Sequence, residues 1–143
     1  MIVELEANIL KKEGKLIAAQ ILYEEALFKN PNYNAFIYGL TDIYIQMNKF
    51  EKAVNLIEKA LLVYPSDFNL YRLLAEVYSK QNASYLKYKN LGEFFYFSFD
   101  LKESVNQMSL AIKASDADFY DKSKAEQRMK EIKDEIAMYE SIK

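Results

Sequence analysis

Apolar residues recur along most of the chain at the three- and four-residue spacing of helices with one buried face. Ile37, Leu40, Ile43 and Tyr44 make one such stripe, and Val54, Ile57, Leu61 and Leu62 make the next. Breaks between the stripes predict helices over 2–13, 16–29, 33–47, 50–63 and 67–81. Further on, Asp100 with Glu103 reads as a capping box opening a helix over 101–114, which leaves 84–98 for the helix before it. A final stripe, Ala125, Met129, Ile132, Ile136 and Tyr139, runs as a narrow apolar seam along a long helix over 118–141. On the exposed sides of that helix Lys122–Glu126, Glu126–Lys130 and Lys130–Asp134 are spaced to pair.

The stripes repeat. The interval from Pro31 to Pro65 also relates Ala19 to Ala53, Ala26 to Ala60, Leu40 to Leu74, and Tyr44 to Tyr78. It further relates Gly14, Asn48 and Asn82, the residue types that best tolerate the left-handed turn ending a helix. The alanines are small where two helix backbones approach, the tyrosines fill the wedge between helix pairs, and the prolines stop the second helix of a pair. This interval, about 34 residues, resembles the period of tetratricopeptide (TPR) repeats, each a helix–turn–helix. The fold class expected is all-α: a right-handed TPR-like solenoid of antiparallel helix pairs, about eight helices, closed by the long C-terminal helix. The whole chain, 1–143, reads as one such domain, with repeats at about 1–33 and 34–67 and a third starting at 68–84.

The third repeat changes register. The repeat frame puts Lys87 where a small residue belongs, whereas Leu91-Gly92 and Phe95 resemble the core of a first helix half a repeat later. Ser104, Met108 and Ala111 then supply the small, large and small positions of its partner, in a shifted repeat over 85–116. The helix over 84–98 would thus serve two pairs at once. Its aromatics, Tyr85, Tyr88, Phe94, Phe95, Tyr96 and Phe97, surround it as expected of a helix contacted on several sides. The last helix either caps the array with a polar outer face or docks a partner.

Composition narrows the chemistry. The 143 residues include no His and no Cys, which removes Cys/His zinc sites, thiol nucleophiles, Ser-His-Asp triads and HExxH helices. With 19 Lys plus Arg against 21 Asp plus Glu, no excess of positive charge marks a nucleic-acid partner. No apolar run reaches the roughly 18 residues of a membrane span. Glu4 and Glu6 stand where a signal peptide would be apolar, so the chain is expected to be mature or trimmed protein. Gly14, Gly39 and Gly92 are isolated and form no phosphate loop. Adjacent carboxylates such as Glu24–Glu25 and Asp134–Glu135 diverge by about 100° on a helix and converge on no substrate atom. No catalytic residue, metal ligand or cofactor is expected, and the chain is expected not to be an enzyme.

What remains is a surface for a protein or peptide partner. In a TPR array the first helix of each pair lines the concave face, which places Glu4, Asn8, Lys11 and Lys12, then Tyr38, Asp42 and Gln46, then Arg72, Glu76 and Lys80 on it. Tyr38 is the expected anchor amid polar neighbours. The basic clamp by which some TPR domains hold chaperone carboxyl-termini is missing apart from Asn8, since Glu4, Gly39, Asn69 and Leu73 occupy its other places.

The second half carries a narrower resemblance. Residues 71–78 (YRLLAEVY), 91–96 (LGEFFY), 100–105 (DLKESV), Leu110-Ala111-Ile112 and Asp118-Phe119-Tyr120 form an ordered series, register shift included. Over about residues 33–140 this series is similar to the C-terminal TPR region of bacterial periplasmic zinc metallopeptidases of the BepA/YfgC type. In that family an N-terminal domain carries HExxH and the TPR region engages outer-membrane assembly machinery and substrates. The resemblance implies a peptidase-associated, periplasmic interaction module in outer-membrane assembly and quality control. Its implied partners are that machinery or a separate peptidase domain. Lys87 and Asn90 depart from the small apolar residues of that family. The other reading is a stand-alone cytoplasmic TPR adaptor with an unrelated protein partner.

Overall fold

The computed structural model describes residues 2–143. Among them are eight α-helices and no strand: α1 (Ile2–Lys12), α2 (Leu16–Lys29), α3 (Asn34–Gln46), α4 (Phe50–Val63), α5 (Phe68–Lys80), α6 (Ser84–Phe97), α7 (Leu101–Lys113) and α8 (Phe119–Ile142). The expected all-α, TPR-like class with a long C-terminal helix is the class observed. The chain forms two compact units, Met1–Pro65 and Ser66–Lys143, divided just after the second of the repeating prolines.

In the first unit α1 packs on α2, α2 on α3 and α3 on α4, and α1 also touches α3. The alanines lie where the repeat requires them, with Ala19, Ala26, Ala53 and Ala60 all buried. Tyr64 at the end of α4 donates its hydroxyl proton to the Asn32 carbonyl (2.8 Å), tying one proline turn to the other. Lys49 donates to the Gln20 side chain (2.7 Å), which spares that buried amide an unmet carbonyl.

In the second unit α5 packs on α6, α6 on α7 and α7 on α8, and α6 also meets α8. Three interhelix turns pass through a left-handed residue, each one repeat after the last: Gly14 (φ 75°), Asn48 (φ 58°) and Asn82 (φ 57°). Each is followed by a backbone N–H reaching back into the preceding helix: Lys15 to Leu10, Lys49 to Tyr44, and Ala83 to Tyr78. Phe99 (φ 66°) repeats this turn only half a period after Asn82, with Asp100 N–H bonded to the Phe95 carbonyl at 2.9 Å. Left-handed turns therefore stand at both ends of α6. Phe99 also stands one full period after Pro65, where a proline stop would have ended an ordinary second helix.

Gly92 makes the close crossing of α6 with α7. It is buried, Ser104 Oγ donates to its carbonyl at 2.7 Å, and a Cβ on it would lie 2.6 Å from Met108 Cε. At the other end of α6, Tyr85 packs with Ala111, Ala114 and Ala125. Its N–H reaches Asp116 (2.9 Å) and its hydroxyl the Asp121 carbonyl (3.0 Å), so one residue joins α6 to the turn before α8 and to α8 itself.

Two local expectations change. Asp100 caps α7 by accepting from Glu103 N–H (3.2 Å), but the reciprocal half of a capping box is absent. Glu103 instead turns along its own helix to accept from Gln107 (2.8 Å) and Asn106 (3.2 Å), which holds its pKa below the usual carboxylate value. The complete capping box opens α8, where Asp118 and Asp121 each accept the other's N–H (2.7 and 3.2 Å). Of the three charge pairs expected on α8, Lys130–Asp134 (3.3 Å) is the one that closes among the described residues. Lys87 is half-buried, its ammonium 5.1 Å from the Tyr88 ring centre, and Asn90 donates to the Leu86 carbonyl (2.8 Å). Both polar residues are thus accommodated on α6 without a small apolar contact.

Candidate functional site

On the first unit, Asn34, Tyr38, Asp42 and Gln46 recur every fourth position and form one polar stripe along α3. Gln46 Nε2 donates to Asp42 (2.8 Å), and Lys11 reaches across from α1 to the same carboxylate oxygen (2.5 Å). Tyr38 is half-buried and its hydroxyl accepts weakly from Asn34 (3.4 Å). Asn8 and Lys12 are exposed on α1. Beneath this stripe lies Tyr23 of α2, buried directly against Gly39, where a Cβ would fall 2.3 Å from its ring. Burial pushes the Tyr23 hydroxyl above its ordinary pKa, and the charges of Glu4 and Asp42 add to that, so it stays neutral and donor-competent. The stripe therefore offers a carboxylate, an amide and a phenol on a helix whose other face is core.

On the second unit, Arg72 is exposed and Glu76 half-buried, one turn apart on α5. Lys11, expected on the same face as Asp42, is ion-paired with it. The ion pair most engaged by its surroundings was missed: Arg128 of α8 grips Glu93 of α6 through two nitrogens (2.6 and 3.0 Å) and reaches Glu131 (3.1 Å). The Glu93 bonds hold the guanidinium even more firmly charged than usual, against the opposing effect of its burial. That cation lies 4.3 Å from the Tyr96 ring centre, while the Tyr96 hydroxyl donates to Glu135 (2.5 Å). Partners 35 and 39 residues apart leave no periodic trace in sequence. Among the described residues no cluster of three or more His, Cys, Asp or Glu is placed to hold a metal ion, and no helix is long and apolar enough to cross a membrane.

Residues 10–77 match the family described as tetratricopeptide repeat. The match supports a TPR repeat region over that stretch. No curated protein matches the chain. Among solved structures, MamA (residues 41 to the end) from Desulfovibrio magneticus RS-1 is similar at 13% identity with a TM-score of 0.47, covering 93% of this chain and 92% of that one. The MamA RS-1 ArsTM double mutant is similar at 13% identity and 0.48, covering 98% and 96%. TPR repeats over residues 10–77 suggest a protein-interaction module.

Proposed function

We propose that the chain is the non-catalytic interaction module of an envelope metallopeptidase, working in the periplasm on outer-membrane protein assembly and quality control. The observation that supports it is α6, shared between two helix pairs through the extra left-handed turn at Phe99. This is the register shift on which the resemblance to the BepA/YfgC-type TPR region rests. In this reading the polar stripe of α3 receives the partner, with Tyr38 as anchor and Asp42 and Gln46 setting orientation; Arg72 and Glu76 on α5 are further candidate contacts. An aromatic amid polar groups offers large contact area at small entropy cost.

The test has two arms. The genomic reading frame upstream should encode a signal peptide and HExxH; an in-frame stop just before Met1 sinks the peptidase context and leaves the cytoplasmic adaptor. Purified outer-membrane β-barrel assembly complex is then presented to wild type and to a Tyr38→Ala/Arg72→Ala double variant. Capture by wild type and loss in the variant, at unchanged melting temperature, supports the assignment; equal capture moves the site off these helices.

A further inference from the structure

A second recessed surface lies wholly within the second unit and owes nothing to the α3 stripe. Where α5 and α7 begin, beside α6 and α8, opens a cavity of about 440 Å³ whose walls include Phe68, Tyr96, Phe97, Phe99 and Tyr139, together with the carboxylate of Glu135. Five rings around one acid is an unusual lining for a site that is merely core. Tyr96 donates to one Glu135 oxygen at 2.5 Å, which aims the carboxylate, and the other oxygen has no protein partner among the described residues. A shallower recess continues past Phe99 and Tyr139 between Asp100, Lys102, Glu140 and Lys143. There the two lysines are matched by Asp100 and Glu140, so Glu135 remains the surplus charge.

Phe99 is the second observation. At the three equivalent turns the chain uses Gly or Asn, the residues that accept a left-handed backbone. Here it uses phenylalanine and leaves the ring 84% exposed, so the strain is offset by no burial within the chain. The turn holds that ring at the cavity mouth, where only an incoming group can cover it.

We infer that this cavity is a docking site for a basic side chain, an arginine in an extended segment of a partner protein. Ring faces attract a cation through their quadrupoles, and a planar guanidinium stacks on them while pairing with a carboxylate. Arg128 already does both on its own side of the cavity wall, with Tyr96 and Glu93. An apolar side chain would instead cover the Glu135 carboxylate with no cation to offset its charge, which is unfavourable.

The probes are four capped tripeptides with alanine on either side of arginine, lysine, leucine or citrulline, the last being a neutral copy of arginine. Each is titrated into isotopically labelled full chain and followed by amide NMR shifts. The arginine peptide should produce saturable shifts clustered at residues 96–101 and 135–139, with citrulline about tenfold weaker for want of the charge pair. Glu135→Gln, which keeps the Tyr96 hydrogen bond, should weaken arginine binding by about tenfold. Phe99→Asn, which restores the residue used at the other turns and so preserves the fold, should weaken it several-fold. Leucine binding as well as arginine would overturn the inference in favour of an apolar pocket. Shifts at these residues on raising protein concentration alone would assign the cavity to a second copy. Equal binding by either variant, or no saturable shift with any peptide, would also overturn it.

Discussion

Gly39 on α3 is packed tightly against Tyr23, and replacing it by alanine tests that packing directly. A Cβ there would sit 2.3 Å from Tyr23 Cζ, 2.5 Å from its hydroxyl oxygen and 2.6 Å from Cε1. Ordinary contact needs about 3.4–4 Å, so the ring must retreat by roughly 1 Å. It is 4% exposed and faces Phe36 at a centroid distance of 6.3 Å, which leaves it little space to do so. Overpacking of this kind costs about 1–3 kcal/mol, and alanine returns about 1 kcal/mol of helix propensity. The upper half of the first range applies to a rigid ring, so Gly39→Ala should destabilise by about 1–2 kcal/mol net. Tyr23→Leu removes the three clashing atoms and should itself cost about 1–3 kcal/mol. On that background Gly39→Ala should become stabilising by about 1 kcal/mol, because only the propensity gain remains. The coupling between the two sites is then about 2–3 kcal/mol. Urea unfolding of the four proteins, followed by far-UV circular dichroism, measures it. Gly39→Ala with the same effect in both backgrounds would refute the close approach of α2 and α3.

Phe99→Asn should raise stability by about 1 kcal/mol, since a left-handed backbone costs a non-glycine L-residue about 1–2 kcal/mol and asparagine tolerates it best; a lowered melting temperature would contradict this. Glu93→Gln should cost about 1–2 kcal/mol, because Glu93 and Arg128 are 14% and 25% exposed and the guanidinium loses its main partner. Lys130→Ala, in a pair about 70% exposed on both sides, should stay within about 0.5 kcal/mol, and equal losses would show that burial is not what distinguishes them. Tyr23, Tyr44, Tyr71 and Tyr85 have hydroxyl pKa values raised chiefly by burial, and Tyr96 chiefly by its bond to Glu135. Above about pH 10 the unfolded chain releases these protons first, so stability is full below that pH and falls as pH rises through the folded-state values. Melting temperatures from pH 8 to 11.5 read the slope, which Tyr85→Phe should make shallower; a flat profile would mean the hydroxyls ionise freely in the folded protein.

The helices were legible residue by residue: all eight end within one position of where periodicity, Gly14, Asn48, Asn82 and the two prolines put them. Their signals are local, lying within a few residues of the backbone they direct, so the chain carries them in plain order. The close crossing of α6 with α7 was legible too, because Gly92, Ser104, Met108 and Ala111 supply the small and large positions it needs. The reach of Glu103 was not, since asparagine and glutamine on its own helix compete with the reciprocal cap and only geometry shows which wins. Nor was the turn at Phe99, where a residue unsuited to a left-handed backbone is held by the helices on either side. Tertiary structure alone sorted the aromatics, leaving Tyr85 4% exposed in the core and Phe99 84% exposed at a cavity, although both are large rings near the ends of one helix. It alone joined Arg128 to Glu93 and Tyr96 to Glu135. Periodicity tells which side of a helix is apolar, but whether another helix covers that side depends on crossings between segments dozens of residues apart, and these are decided only when the chain packs.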